Sequence, residues 1–153
     1  MTVKAIPDDY PRVSAYLCVD GATAAMEFYQ QVFASQERMR IEMPDGQIGH
    51  AEITIGDSVI MISDPFPEMD VHAPPHFGGT PVGLSVYVED ADATVAKAVS
   101  LGAEVLSPLE DQFYGDRAGK IRDPWGQQWF VMTHIEDVSA EEVSRRAAAQ
   151  FGG

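Results

Sequence analysis

A histidine and a glutamate two positions apart form the pair of residues in this sequence best suited to chemistry. His50 and Glu52 fall in the run Ile48–Ile55, whose apolar and β-branched residues predict a strand. Side chains two apart on a strand emerge from the same face, so the imidazole and the carboxylate are expected side by side. Glu52 is then the candidate general acid or base, with His50 beside it.

The same pair is also a starting point for a divalent-metal site. Imidazole and carboxylate are good ligands, but a metal centre typically uses three or more protein ligands. His72, His76 or His134 could complete such a set. In the alternative interpretation, His50 and Glu52 line a polar pocket or hydrogen-bond to each other. His72 and His76 are then surface side chains of a flexible linker.

The elements that would position these residues occur twice in the chain. Segments 13–34 and 82–103 match in pattern, each with a β-rich run, an acidic turn and an amphipathic helix. Three antiparallel strands complete the first copy, which predicts a β-α-β-β-β module at about 12–63 and a second module at about 82–135. The predicted fold class is therefore α+β, built from two paired modules.

Three further segments lie between or beside these elements. Residues 64–81 are rich in proline and glycine and predict a linker that could act as a flap over the site. Residues 107–119 predict a long loop between short strands of the second module. Ser139 and Glu142 form a capping box, which predicts a C-terminal helix at about 139–149. Asp20 is the predicted N-cap of the helix that begins near residue 22.

The charge and composition exclude some classes of partner. The formal net charge is −14, from 24 acidic and 10 basic residues, which argues against nucleic acid or an anionic membrane as a partner. The charge is compatible with a cationic ligand, and equally with a solvated acidic surface. No run approaches the roughly eighteen apolar residues of a membrane span. Cys18 is the single cysteine, and no secretory signal is visible, so we expect a cytoplasmic protein.

Three local motifs accompany the two modules: EFYQQVF at 27–33, HAEITIGDS at 50–58 and DPWGQQW at 123–129. Together they resemble the vicinal oxygen chelate superfamily, which includes glyoxalase I, bleomycin-resistance proteins and extradiol dioxygenases. The sequence looks closest to an uncharacterised bacterial branch with a GDRxG loop, here at 115–119. The resemblance implies one domain over 1–153, in which two cup-shaped mixed sheets face each other. It also implies a pocket lined by both modules, and a homodimer.

The resemblance further implies where such proteins hold a divalent metal, at four strand positions. Carried over to this sequence, these positions are Ser14, Glu52, Gly83 and Phe130. Only Glu52 is a good ligand, because serine is weak, glycine has no side chain and phenylalanine cannot coordinate. No cofactor is therefore expected, and glyoxalase I activity is not expected. The alternative is a divalent metal at a relocated site that contains His50 and Glu52.

Strand alternation within the expected cup predicts which side chains face a ligand. The first module contributes Ser14, Tyr16, His50 and Glu52, and the second contributes Gly83, Ser85, Tyr87, Gln128, Phe130 and Met132. Such a cavity, mostly aromatic with a few polar groups, suits an organic ligand. In the alternative interpretation, Phe130 and Met132 simply fill the cup as core. Trp129 points to the helix side and is expected in the core.

The loop 111–119 is expected beside the cup, where functional residues are common. Its candidate ligand-binding residues are Gln112, Phe113, Tyr114 and Arg117. Arg117 could clamp a carboxylate or phosphate. It could instead pair with Asp116 or Asp123 and hold the loop.

Three functions are compatible with this sequence. The first is a metal-free protein that binds a small organic ligand in the cup. The second is a lyase, isomerase or dioxygenase that uses a relocated metal, or Glu52 as a general base. The third is a structural dimer without a ligand, which would leave the cup unexplained.

Overall fold

The computed structural model describes residues 2–152 and divides after Gly79 into two compact units. Unit 1 runs to Gly79 and contains β1 (Ala15–Cys18), α1 (Ala22–Phe33), β2 (Gln36–Glu42), β3 (Ile48–Ile55) and β4 (Ser58–Ser63). Unit 2 starts at Thr80 and contains β5 (Gly83–Tyr87), α2 (Ala91–Ser100), β6 (Glu104–Asp111), β7 (Asp116–Arg122), β8 (Gln128–His134) and α3 (Ala140–Phe151). Within residues 2–152, no helix is long and apolar enough to cross a membrane.

Each unit contains one four-stranded mixed sheet, and the two sheets have the same strand order. The order is β1-β4-β3-β2 in unit 1 and β5-β8-β7-β6 in unit 2. The first strand of each unit runs parallel to its last strand, and the other neighbours are antiparallel. The repeated topology confirms the predicted α+β class and the two β-α-β-β-β modules.

In each unit the helix within the module packs on the sheet and buries alternate strand residues. α1 contacts β3, and Leu17, Ala51 and Ile53 are buried. α2 contacts β6, β7 and β8, and Trp129 is only 1% exposed, which confirms that it belongs to the core. The residues between these positions, including Tyr16 and His50, therefore lie on the opposite face of the sheet.

The prediction of a loop at 107–119 is wrong for most of that segment. β6 continues to Asp111 and β7 begins at Asp116, so only residues 112–115 form the turn. The ladder between β6 and β7 is irregular around Pro108, which an edge strand such as β6 tolerates. A Cβ on Gly119 would lie 3.0 Å from the Ser107 carbonyl oxygen, a tight contact that favours glycine at this position. Pro108 and Gly119 are residue types typical of loops, which explains why an irregular strand pair was predicted as a loop.

The start of α1 also differs from the prediction, because Asp20 does not cap it. The N-cap is Gly21, whose φ of 112° favours glycine, and no local side chain bonds the helix end. The buried carboxylate of Asp64, just after β4, accepts hydrogen bonds from the backbone N–H groups of Gly21 (2.9 Å) and Ala22 (3.0 Å). Its other oxygen accepts from the N–H of Ile48 at 2.7 Å. One side chain therefore joins three elements.

The C-terminal helix is confirmed and extends to Phe151. Ser139 caps it as predicted, because its Oγ accepts a hydrogen bond from the N–H of Glu142 at 3.1 Å. The carboxylate of Glu142 does not return to Ser139 but pairs with Arg145 and Arg146. Only the Ser139 half of the predicted capping box is therefore formed.

Replacing Asp64 by alanine tests its role in unit 1. Asp64→Ala should lower the free energy of unfolding by roughly 3 kcal/mol, because buried backbone donors lose their charged acceptor. Urea denaturation measures the change. Asp20→Ala is the matched control, since this exposed side chain caps nothing and should change stability by no more than about 0.5 kcal/mol. Equal effects of the two substitutions would contradict the assignment.

Candidate functional site

A chain of hydrogen bonds joins polar side chains on the face of the unit 1 sheet opposite α1. The hydroxyl of Tyr10 donates to Oε1 of Glu52 at 2.7 Å, and Nε2 of His50 lies 2.9 Å from Oε2 of the same carboxylate. The hydroxyl of Tyr16 lies 2.7 Å from Nδ1 of His50. The structure therefore brings together Tyr16, His50 and Glu52, as predicted, and adds Tyr10.

The Glu52 carboxylate is the centre of this chain, which we call the Tyr-Glu-His-Tyr network. The residue is only 4% exposed, and hydrogen bonds from His50 and Tyr10 hold its pKa below the usual range. The bond to Glu52 in turn raises the pKa of Tyr10. An ionised Glu52 requires a proton on Nε2 of His50. In the neutral imidazole Nδ1 is then an acceptor, and Tyr16 donates to it.

A cavity of about 900 Å³ adjoins the network and lies within unit 1. Its apolar lining comes from β2, the β2–β3 turn and the segment after β4: Ile41, Met43, Pro44, Phe66, Met69 and Val71. Its polar lining consists of Tyr16, Asp45, Gln47, His50, Ser63 and Glu68. The size and the mainly apolar character are typical of sites for small organic molecules.

Part of segment 64–81, which the sequence predicts as a linker, forms one wall of this cavity. Phe66 and Val71 exchange two backbone hydrogen bonds, of 2.9 and 3.1 Å, which closes a short loop. Glu68 and Met69 stand within this loop and line the cavity. A Cβ on Gly49 would lie 3.0 Å from Sδ of Met43, so glycine lets the β2–β3 hairpin pack closely there. The role of this segment as a flap over a site stays a prediction.

The sequence reasoning missed most of the apolar lining. Met39 and Ile41 alternate along β2, Met43 follows it directly, and all three side chains are more than one third exposed. Three large apolar side chains on one face of an edge strand were the available signal. Phe66 and Met69 carried no periodic pattern, because their loop is irregular.

Ser14, the other position of unit 1 at which the resemblance implies a metal ligand, lies just before β1. Its buried Oγ has no hydrogen-bond partner among the described residues. A single neutral hydroxyl is a weak metal ligand.

In unit 2 the predicted cup residues occupy two neighbouring parallel strands. Ser85 pairs with Phe130 and Tyr87 with Met132, and Gly83 pairs with Gln128. The Phe130 ring covers Gly83, where a Cβ would lie 2.8 Å from Cε2 of the ring. Phe130 is 40% exposed and so does not belong to the core. The ring thus fills the space above Gly83, and Nζ of Lys120 lies 5.1 Å from the ring centroid.

Asp116 and Arg117 have different partners from those that the sequence suggested. The hydroxyl of Tyr87 donates to Asp116 at 2.7 Å, and Nδ1 of His134 lies 2.8 Å from the other carboxylate oxygen. Arg117 donates twice to Asp92, at 2.7 and 3.0 Å, and once to Asp111. Pairing of Arg117 with Asp116 or Asp123 is therefore wrong, although its structural role in unit 2 agrees with the second interpretation.

The turn at 112–115 is attached to α3. The Phe113 ring packs edge-on against Tyr114 and against Phe151, with centroids 5.3 and 5.8 Å apart. Arg146 donates to the carbonyl oxygen of Phe113 at 3.1 Å. The side-chain amide of Gln112 donates to the carbonyl of Glu110. These contacts fix the turn, and ligand contact by its residues stays a prediction.

The donor groups do not fit a divalent metal. Among the described residues, no group of three or more His, Cys, Asp or Glu side chains could hold a metal ion. Both nitrogens of His50 and both oxygens of Glu52 already have hydrogen-bond partners. His72 stacks on His76, with centroids 3.8 Å apart, and bonds to Asp70. The histidines proposed to complete a site therefore have partners of their own.

Two β-α-β-β-β units of identical strand order define the fold of the vicinal oxygen chelate proteins. The chain belongs to the Glyoxalase/Bleomycin resistance protein/Dioxygenase superfamily, whose family model matches residues 12–131. An uncharacterised protein of Mycobacterium bovis is 36% identical over 146 residues, which cover 94% of this chain and 96% of that protein. An uncharacterised protein of Mycobacterium tuberculosis is also 36% identical, over 94% of this chain and 86% of that protein.

Solved structures of low sequence identity have the same fold. Protein PA1353 from Pseudomonas aeruginosa has a TM-score of 0.69 at 20% identity and covers 82% of this chain and 99% of its own. TioX from Micromonospora has a TM-score of 0.61 at 22% identity, with 84% and 100% covered. The fosfomycin resistance protein FosX from Listeria monocytogenes, solved with manganese(II) and sulfate, has a TM-score of 0.63 at 16% identity, with 89% and 96% covered.

Removing the Tyr10 hydroxyl tests the electrostatics of the network. Tyr10→Phe should raise the pKa of Glu52, because one of its two hydrogen-bond donors is lost. Carboxyl-carbon NMR titration measures this pKa. Tyr114→Phe is the control and should leave it unchanged.

The same substitution should have a defined pH dependence of stability. A lowered folded-state pKa stabilises the protein above the ordinary carboxyl pKa, and this stabilisation is lost as the pH falls through the folded value. The destabilisation by Tyr10→Phe should therefore be largest near neutral pH and shrink in acid. A difference independent of pH would contradict an ionised Glu52 in the network.

Proposed function

We propose that this chain binds a small organic ligand in the cavity of unit 1 and does so without a metal ion. The observation that carries the proposal is the cavity itself, about 900 Å³ in volume, with an apolar lining and a few polar groups on one side. Ligand sites of soluble proteins have this composition, since apolar walls supply affinity and a few polar groups fix orientation.

The metal-independent part of the proposal rests on the donor groups. Gly83 and Phe130 provide no ligand, and the Phe130 ring covers Gly83. Glu52 remains the one strong ligand of the carried-over set, and its oxygens accept from Tyr10 and His50. FosX was solved with manganese(II), but its identity of 16% extends only the fold to this chain.

Binding is favoured over acid–base catalysis by the state of Glu52. A good general base near neutral pH has a pKa close to the working pH. The pKa of Glu52 is held below its usual range by its two donors, which makes it a weaker base. His50 is also engaged through both ring nitrogens. The network thus serves better as a fixed polar surface beside the ligand than as a proton acceptor.

The wider site and the assembly are proposed from the strand pattern of the sequence and from family membership. We expect residues of unit 2 to contribute to ligand binding, as the concave-face pattern predicts: Ser85, Tyr87, Gln112, Phe113, Tyr114, Arg117, Phe130 and Met132. We also expect a homodimer in the cytoplasm. Light scattering coupled to size-exclusion chromatography tests the dimer.

Truncating one aromatic wall of the cavity tests the proposed site. Phe66→Ala should weaken ligand binding by roughly tenfold or more, because burial of an aromatic side chain contributes about 1.5–3 kcal/mol. Ligands come from a thermal-shift screen of aromatic antibiotics and metabolites, and calorimetry gives the affinity of each hit.

Phe77→Ala is the matched control for this measurement. Phe77 lies in the same segment and is 70% exposed, but it does not line the cavity. Its truncation should leave the affinity unchanged. A ligand whose affinity falls with Phe77→Ala, or with neither change, would locate binding elsewhere.

A further inference from the structure

The charged side chains that line the cavity have one sign. Asp45 and Glu68 contribute carboxylates, and the lining contains no lysine or arginine. Among the described residues, the carboxylate of Glu68 has no hydrogen-bond or ion-pair partner. One oxygen of Asp45 accepts a hydrogen bond from the backbone N–H of Gln47, at 3.0 Å. Its second oxygen has no hydrogen-bond or ion-pair partner among residues 2–152. Asp45 and Glu68 are both exposed, so these carboxylates lie at the solvent-open side of the cavity, and no lysine or arginine of the lining neutralises them.

The hydrogen-bond directions within the Tyr-Glu-His-Tyr network also favour a ligand that donates a hydrogen bond. With an ionised Glu52 and a neutral imidazole, the proton of His50 lies on Nε2, and Nδ1 accepts a hydrogen bond from the Tyr16 hydroxyl. The Tyr16 oxygen is left as an acceptor toward the cavity that it lines. A ligand group placed there must donate a hydrogen bond. Gln47 and Ser63 can donate or accept, so they do not oppose this preference.

The apolar part of the lining suits the body of an organic cation. Phe66 and Tyr16 supply aromatic rings, which attract a positive charge placed over their faces. Met43 and Met69 supply flexible, polarizable side chains that adapt to ligands of different shape. The net charge of −14 adds a long-range attraction for cations and repels anions.

We infer that the cavity of unit 1 takes a hydrophobic organic cation, an amine on an aromatic or aliphatic body. Glu68 and Asp45 face its positive charge, and Tyr16 accepts a hydrogen bond from the ammonium group. This inference rests on the proposed function and specifies its ligand class. The same carboxylates disfavour an anionic ligand, whose unpaired charge would also have to enter a mainly apolar site.

A matched set of probes tests the charge preference. The set contains the amine, the alcohol and the carboxylate of the same naphthyl and anthracenyl bodies, and the intrinsic fluorescence of these rings reports binding. The amines should bind at least tenfold more tightly than the alcohols, and the carboxylates should bind most weakly. Added salt should weaken the binding of the amines and leave that of the alcohols unchanged.

Charge-neutralising variants locate the effect. Glu68→Gln and Asp45→Asn should each weaken amine binding by roughly threefold to tenfold without affecting the alcohols. Asp57→Asn is the control, since it removes the same charge from an exposed turn at the opposite end of β3. Circular dichroism and melting temperature establish that each variant is folded.

The outcomes separate the two claims. Equal or tighter binding of alcohols or carboxylates, abolished by Phe66→Ala, would overturn the charge preference and leave the proposed function intact. An amine preference that persists in the Glu68→Gln, Asp45→Asn double variant would overturn the assignment of these carboxylates. Failure of all three probe classes to bind would contradict the proposed function, and the inference with it.

Discussion

The carboxylate of Asp64 accepts hydrogen bonds from the first residues of α1 and from the first residue of β3. It follows β4 directly and precedes the loop that carries Phe66, Glu68 and Met69 along the cavity. The position of the helix, the start of the strand that carries His50 and Glu52, and the start of the cavity wall therefore depend on one buried side chain. A carboxylate can do this because it accepts several hydrogen bonds at once.

Glu52 is the one good ligand among the four positions at which the resemblance implies a metal, but its surroundings supply protein donors instead. Hydrogen bonds from Tyr10 and His50 satisfy its buried charge. The hydrogen-bond direction set at Glu52 continues through the His50 imidazole to the Tyr16 hydroxyl. A buried carboxylate without such donors would be costly. The network therefore satisfies this acidic residue with protein donors and orients the hydrogen bonds on one side of the cavity.

The sequence predicted the repeated topology because strand alternation and helical periodicity depend on neighbouring residues. It also predicted that Tyr16, His50 and Glu52 share a face. It did not predict the cap of α1, because Asp64 is distant in sequence. It predicted only the start of β6 and the end of β7 as short strands, because Pro108 and Gly119 interrupt the pattern of an irregular ladder. The cavity wall at Phe66 and Met69 has no periodic pattern, and the partners of Arg117 on α2 and β6 depend on the tertiary fold.

The commitment of His50 and Glu52 to hydrogen bonds, rather than to a metal, is tested most directly by elemental analysis. Protein purified without chelator or affinity tag would be incubated with nickel, zinc, manganese or ferrous iron, then desalted and measured for bound metal. The account predicts far less than one metal ion per chain under each condition. One equivalent of a divalent ion, lost in a Glu52→Gln variant that remains folded, would contradict it and establish a relocated metal centre at this pair.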